Sequence, residues 1–458
     1  MPDRREERPA VHNPGFRGGP GGPHSMFSKV KPEDPLGTLK RLWGYIKQYK
    51  LRFFLIFIIV FVTALLSLIN PYLIGRAIDQ YIIPKDFKGL FSLIILMISI
   101  HIANSLFIWL QGYLNITTVQ KIVLQLRKDL FGKLQSLPLR FFDSSQHGDL
   151  MSRLTNDIDT VNMSLNTSIT QVFSSIVTLT GTLLVMLRLS PMLTLISMAT
   201  IPFTLLVTSF ISRHTREYFF SNQTILGKLN GLIEENISGL KVVKVFSRER
   251  KEIERFGNIN RELREVGTKA QIYSGVMGPL MNVLNNLSFA LIAGFGGWFT
   301  VQNIITVGTI ASFITYSRQF TRPINELANQ FNMLQSAMAS AERVFKVMDE
   351  SPEPPDVPDA VELKDVKGDV EFRNVCFSYK EGISVLKNVT FHAKPGQTIA
   401  LVGPTGAGKT TIVNLLTRFY DVDSGSILID GIDIRRIKRS CLRSLLGIVL
   451  QDTYLFSD

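Results

Sequence analysis

Six apolar segments of membrane length set the limits on what this chain can fold into: Phe53 to Ile69, Leu90 to Leu110, Val172 to Leu187, Met192 to Ile211, Val276 to Val301, and Ile304 to roughly Ile324. About 20 apolar helical residues cross the ~30 Å hydrocarbon core of a bilayer, so the segments predict six transmembrane helices. The third and sixth carry the weakest signal, being short or interrupted by polar residues. Across 458 residues, 45% are hydrophobic and 19% charged, with a formal net charge of +12. Apolar and charged residues are therefore segregated along the chain. Connections after spans one, three and five are short and poor in basic residues, whereas those after spans two and four are long and carry Lys121, Arg127, Lys128, Lys133, Lys241, Lys244, Arg248, Arg250 and Lys251. Loops that stay in the cytoplasm hold an excess of lysine and arginine. This places the N-terminus, both long connections and everything after span six on the cytoplasmic side. It also explains the positive charge without a nucleic-acid partner, since no aromatic-rich reading surface accompanies it.

Residues 1–35 are rich in Pro, Gly and charge and predict a disordered tail, without the apolar core of a signal peptide. Leu39, Leu42, Trp43 and Ile46 fall at helical spacing among basic residues, as in an amphipathic helix at the membrane surface. Residues 118–137 and 222–269 keep helical apolar spacing, so the membrane helices are predicted to continue into the cytoplasm. Their tips, FFDSSQHGDLMSRLTND and ISGLKVVKVFSRER, suit either docking onto another domain or plain solvated hairpins. Arg318 lies inside the sixth segment, where a lipid-facing charge costs about 3 kcal/mol. Two roles are open to it: a residue of a substrate pathway, or a structural ion-pair or snorkelling residue. Cys376 and Cys441 lack metal-ligand spacing and read as inert thiols of a reducing compartment.

The proline-rich stretch SPEPPDVPDAVE separates a transmembrane domain, residues 36–349, from a soluble one, with the linker at 350–365 and the soluble domain at 366–458. There, Gly403 to Thr411 reads GPTGAGKTT, a complete G-x-x-x-x-G-K-[ST] pattern. Thr398 to Val402 is predicted as a buried strand before it and Thr411 to Leu416 as a helix face after it. In such a loop the backbone of Gly403, Thr405, Gly406, Ala407, Gly408 and Thr411 cradles phosphates, Lys409 reaches the β- and γ-phosphates of ATP, and the Thr410 hydroxyl ligates Mg²⁺. A glycine-rich turn without a ligand is the alternative. Val370 to Tyr379, Val385 to Phe391 and Ile427 to Ile429 have strand composition, and their alternation with a helix predicts an α/β P-loop domain.

Across residues 36–458 this order of parts resembles an exporter of the ATP-binding cassette superfamily. The resemblance implies a type I exporter fold: an α-helical membrane domain of six transmembrane helices, followed here by an incomplete α/β P-loop NTPase domain. Tyr379 then looks like the aromatic residue that stacks on adenine, its alternative being a core tyrosine at a strand end. Gln451, in GIVLQDTYLF, looks like the Q-loop glutamine that contacts Mg²⁺ and the attacking water, and the two cytoplasmic turns look like coupling helices. Stretches such as GTKAQIYSG, SRQFTRPINELANQFNM and LVGPTGAGKTTIVNLLTRFYDVDSG are similar to subunits of bacterial heterodimeric multidrug exporters. That similarity implies a second half-transporter as partner, a heterodimer in preference to a homodimer, and a small hydrophobic or amphipathic substrate. A homodimeric lipid flippase and a nonhydrolytic nucleotide-gated subunit are the competing readings. The sequence stops at Asp458, seven residues after Gln451, before any signature motif, Walker B strand, catalytic glutamate or switch histidine. The expectation is an incomplete piece of a longer chain, one that does not hydrolyse ATP alone.

Overall fold

The computed structural model describes residues 33–380 and 382–449, so most of the expected tail lies outside the described residues. The helices run α1 (Pro35–Lys47), α2 (Lys50–Ala77), α3 (Phe87–Gln135), α4 (Leu139–Ser144), α5 (His147–Ser152), α6 (Ile158–Leu189), α7 (Pro191–Ser238), α8 (Leu240–Val245), α9 (Glu249–Val301) and α10 (Val307–Asp349). Four strands, β1 (Val370–Lys380), β2 (Ile383–Ala393), β3 (Ser424–Ile429) and β4 (Ile432–Asp433), and two short helices, α11 (Lys409–Leu416) and α12 (Arg439–Ser444), follow. The chain divides into two compact units: the residues up to Val123 with Asp159–Glu342, and Leu124–Ile158 with the residues from Arg343 onward.

In the first unit, Asp34 caps α1 by accepting the Gly37 N–H at 2.9 Å. Thr38, Leu42 and Ile46 form its buried stripe, while Leu36, Leu39 and Trp43 stay exposed. Helices α3, α7 and α9 each run for about 70–80 Å at 1.5 Å per residue, far beyond a ~30 Å hydrocarbon core, as the continued apolar spacing predicts. Among the described residues, five helical stretches are long and apolar enough to cross a membrane: Lys50–Ile82, Phe87–Gln135, His147–Leu189, Pro191–Ser238 and Glu249–Val301. The six expected spans thus become five by this measure. The sixth segment runs through the start of α10, whose apolar character is diluted by Ser312, Tyr316, Arg318, Gln319 and Arg322.

Those polar groups have a use that hydropathy does not register. Tyr316 donates its hydroxyl to the Leu68 carbonyl at 2.5 Å, Ser312 donates to the Pro71 carbonyl at 2.8 Å, and Gln319 donates to Ser67 Oγ at 3.3 Å. Beyond α2, Asp79 accepts the Gly308 N–H at 2.8 Å and the Thr306 hydroxyl at 2.5 Å, capping α10. Gly75 and Gly308 lie so close that a Cβ on Gly308 would sit 2.1 Å from the Gly75 carbonyl oxygen. Small residues and interhelical hydrogen bonds replace the hydrophobic drive that helices lack in lipid. Leu68, Met186, Leu193, Ile292, Phe299, Phe313 and Tyr316 fill the core around this seam.

The second unit holds an antiparallel sheet in the order β2-β1-β3-β4. Phe372 faces Phe391 on one side and Ile427 on the other, and the core adds Val375, Phe377, Leu386, Leu415, Ile429, Ile434, Ile437 and Leu442. Asp430 and Gly431, both at positive φ, close the β3–β4 hairpin as the Asp-Gly pair predicts. The expected strand Thr398 to Val402 is not formed, and this corrects the sequence reading. A strand exists through its ladder of backbone hydrogen bonds. Among the described residues no neighbour supplies one, and Val402 is 92% exposed despite its apolar surroundings in sequence. Basic residues tie down the acidic proline-rich stretch. Arg443 donates to Glu353 at 2.6 Å, and Asp356 accepts the Arg439 backbone N–H at 3.2 Å.

Candidate functional site

The phosphate loop spans Gly403 to Gly408 and leads directly into α11. Gly406 (φ +87°) and Gly408 (φ +86°) hold the left-handed conformation, which costs an L-residue about 1–2 kcal/mol and falls naturally to glycine. Gly408 is also packed, because a Cβ there would lie 2.6 Å from Leu386 Cδ2. Lys409 folds back along the loop and donates from Nζ to the carbonyls of Gly403 at 2.7 Å and Pro404 at 2.9 Å. Its ammonium is thereby held at the loop rather than released into solvent. Thr405, Gly406, Ala407 and Thr410 are exposed at the loop and the first helical turn. A helix start presents backbone N–H groups without intrahelical acceptors, a ready site for an anion. Exposed backbone, two left-handed glycines and a tethered lysine fit a nucleotide phosphate.

Thr411 points the other way. It is buried, and its Oγ1 lies 3.2 Å from the Tyr379 hydroxyl, which Asn414 also approaches from Nδ2 at 3.4 Å. The Tyr379 ring packs edge-on against Phe377 at 4.9 Å and Tyr420 at 5.2 Å. The structure therefore brings Tyr379 and Thr411 together, and separately Gly403 and Lys409. Gln451 lies outside the described residues.

One connection escapes the sequence reading. The Tyr420 hydroxyl donates to the Asp143 carboxylate in α4, at the tip of the first long connection. A chain of contacts thus runs from α11 through Thr411, Tyr379 and Tyr420 to α4, and two further links hold that tip. The Arg343 guanidinium donates from Nε to Asp157 at 2.9 Å, and Glu353 N–H donates to the Ser136 carbonyl at 2.8 Å. Asp143 and Tyr420 are 277 residues apart, so no local pattern marks them as partners. At the second tip, Leu240, Val242, Val245 and Phe246 of α8 and its end leave a cluster of apolar side chains exposed.

Comparison with known proteins agrees with both halves. The profile of the ABC transporter transmembrane region matches residues 53–324, and a second profile, described as ABC transporter, matches residues 386–458. The uncharacterized ABC transporter ATP-binding protein YfiC of Bacillus subtilis is 47% identical over 93% of this chain and 71% of its own length. A fatty acid ABC transporter ATP-binding/permease protein of Mycobacterium bovis is 44% identical over 81% of the chain, which spans only 58% of that relative. An ATP-dependent lipid A-core flippase of Syntrophus aciditrophicus is 32% identical over 92% of the chain and 70% of its own length. A transmembrane region and a nucleotide-binding domain in one multi-pass polypeptide, matched in order by both profiles, place this chain in the ABC transporter family.

Proposed function

We propose that the intact protein is one half of an ATP-driven exporter that moves hydrophobic or amphipathic compounds, or lipids, outward across the cytoplasmic membrane. The observation that carries this reading is the joining of membrane-length helices to a phosphate loop with two left-handed glycines and a tethered lysine. In this reading the transmembrane domain is residues 36–349, with a sixth crossing in the first half of α10, and residues 350–365 link it to a nucleotide domain at 366–458. The N-terminus and that domain face the cytoplasm. The names of the mycobacterial and Syntrophus relatives support lipids and fatty acids among the compounds carried.

Gly403, Thr405, Gly406, Ala407, Gly408 and Thr411 would hold the phosphates of ATP, Tyr379 the adenine, and Thr410 and Gln451 Mg²⁺. When bound, ATP would supply the phosphoanhydride to be hydrolysed and Mg²⁺ would screen its phosphate charge. Lys409 contributes a fixed positive charge where phosphate charge develops. The Thr411–Tyr379–Tyr420–Asp143 contacts would carry a change at α11 to the tip of the first long connection, and the apolar end of α8 would dock on the partner half. That partner is a second half-transporter, in preference a different chain. A homodimeric lipid flippase is the second reading, favoured by the similarity to the lipid A-core flippase. Lys409→Ala in the full-length protein with its partner should abolish substrate-stimulated ATP hydrolysis and transport. Retained stimulated turnover would overturn the assignment, and full activity of the chain purified alone would favour the flippase.

A further inference from the structure

We propose that Glu353 is a positioning residue of the nucleotide site: it joins the far end of the phosphate-loop helix α11 to the end of α3, so that nucleotide binding reaches the long membrane helix along the linker. This rests on the nucleotide-binding reading of Gly403 to Thr411. Composition marks residues 350–365 as a passive spacer, and a spacer needs no fastening. This one is fastened repeatedly. The Asp356 carboxylate accepts the Arg439 N–H at 3.2 Å, Val361 exchanges backbone hydrogen bonds with Arg436 and Lys438 at 2.8 and 3.1 Å, and Lys438 donates to Glu362 at 2.7 Å. Residues 353–362 therefore form a strap fixed to the residues at and just before α12.

Glu353 is where that strap meets two helix ends. Its backbone N–H donates at 2.8 Å to the carbonyl of Ser136, the residue after α3. Its carboxylate accepts from both terminal nitrogens of Arg443, at 2.6 and 3.2 Å, a bidentate pair of the stronger, charge-assisted kind. The same guanidinium donates at 3.4 Å to the Thr417 carbonyl and at 3.2 Å to the Arg418 carbonyl, and it lies 5.2 Å from the centre of the Phe419 ring. Thr417 caps α11, and the carbonyls at a helix C-terminus lack intrahelical donors and carry partial negative charge. Arg443 is thus shared between the end of α11 and Glu353. Arg439, the other cation near Glu353 at 3.7 Å, is engaged by the Pro354 carbonyl and by Asp356.

A run of contacts transmits only if the element at one end has two states. The phosphate loop supplies them. Lys409, the first residue of α11, is bonded to the Gly403 and Pro404 carbonyls, and a bound nucleotide would exchange those acceptors for phosphate oxygens. Helix α11 has eight residues, about 12 Å, so a shift at Lys409 is carried to Thr417 by an unbroken helix. This path is separate from the one through Tyr420, which ends on Asp143 of α4. The last turn of α3 reports on the first path and α4 on the second.

The test is hydrogen exchange on the full-length protein with its partner in nanodiscs, with and without a nonhydrolysable ATP analogue and Mg²⁺, whose affinity is measured in the same samples. In the wild type the analogue should change exchange in residues 131–137 at least about fivefold, the lower end of ordinary coupling between sites. Glu353→Ala should cut that change to below about twofold, while the response of α4 and the affinity for the analogue stay within about twofold of wild type. Arg443→Ala should lose the same response, and the double variant should lose no more than either alone, as a shared pair requires. Glu362→Ala, which frees the strap from Lys438 alone, should keep the full response. An undiminished response in Glu353→Ala overturns the proposal, and so does an equal loss in Glu362→Ala or in α4, which would show general loosening. If Glu353→Ala fails to fold, the uncharged isostere Glu353→Gln replaces it and should lose about half of the response, because charge-assisted bonds are about twice as strong as neutral ones. A full response in that variant also overturns the proposal. An analogue that binds the wild type without changing residues 131–137 removes the coupling and leaves the nucleotide site; one that does not bind removes both.

Discussion

Alanine substitutions at the two left-handed glycines of the phosphate loop should separate backbone strain from packing. At Gly406 a Cβ meets nothing within 4 Å, so Gly406→Ala carries only the left-handed penalty, about 1–2 kcal/mol. At Gly408 the same penalty applies, and the new Cβ lies 2.6 Å from Leu386 Cδ2. Leu386 is 3% exposed and belongs to the domain core, so it yields little room. Overpacking of this kind costs about 1–3 kcal/mol, giving about 2–5 kcal/mol for Gly408→Ala. Each 1.4 kcal/mol taken from the binding-competent loop weakens nucleotide affinity about tenfold. Titrating the full-length protein with a fluorescent ATP analogue should therefore show a loss of about 5–30-fold for Gly406→Ala. Gly408→Ala should lose at least about 30-fold, with faster hydrogen exchange along α11. Equal or milder effects at Gly408 would refute the packing argument. Wild-type affinity in both variants would refute the claim that the loop binds in the observed conformation.

Three further outcomes follow from the rest of the fold. Ser312→Ala and Tyr316→Phe each remove one hydrogen bond of the α2–α10 seam and should cost about 0.6–1.7 kcal/mol, read as lower thermal stability in detergent. Gly308→Val, which would drive side-chain atoms into the Gly75 backbone, should be far more damaging than either. At the base of the sheet, the Asp430 carboxylate accepts the Asp369 N–H at 2.9 Å and the Lys367 N–H at 2.7 Å. These backbone donors, Asp369 foremost, hold its pKa below the usual carboxylate range. A depressed folded pKa contributes stability above the unfolded value of about 3.9, and that stability is lost as pH falls through the lower folded value. Hydrogen exchange at the β3–β4 hairpin should accelerate on acidification in the wild type. In Asp430→Asn it should be faster already at neutral pH and respond less to acid.

The sequence by itself determined the parts. Runs of about 20 apolar residues can only be buried in lipid or core, and Gly403 to Thr411 has the residue types a phosphate cradle needs, so both were legible from neighbouring residues alone. The same holds for β1, β2 and the Asp430–Gly431 turn, which depend on short-range composition and φ preference. Tertiary structure decided what depends on partners distant in sequence. Thr398 to Val402 has strand composition but no ladder among the described residues, because a strand is defined by its neighbour. The start of α10 falls short of a membrane span by composition, yet its Ser312 and Tyr316 hydroxyls are spent on α2 carbonyls more than 240 residues earlier. Tyr379 was singled out by motif, whereas its links to Thr411 and, through Tyr420, to Asp143 required the fold to be seen. Arg318 shows the division most clearly. Sequence places a charge within an apolar segment and leaves its role open; only the fold shows that Arg318, in α10, makes no ion pair among the described residues, whereas Arg322 four residues on pairs with Glu326. Local chemistry is written in adjacent residues, but whether a donor is satisfied depends on what the rest of the chain brings to it.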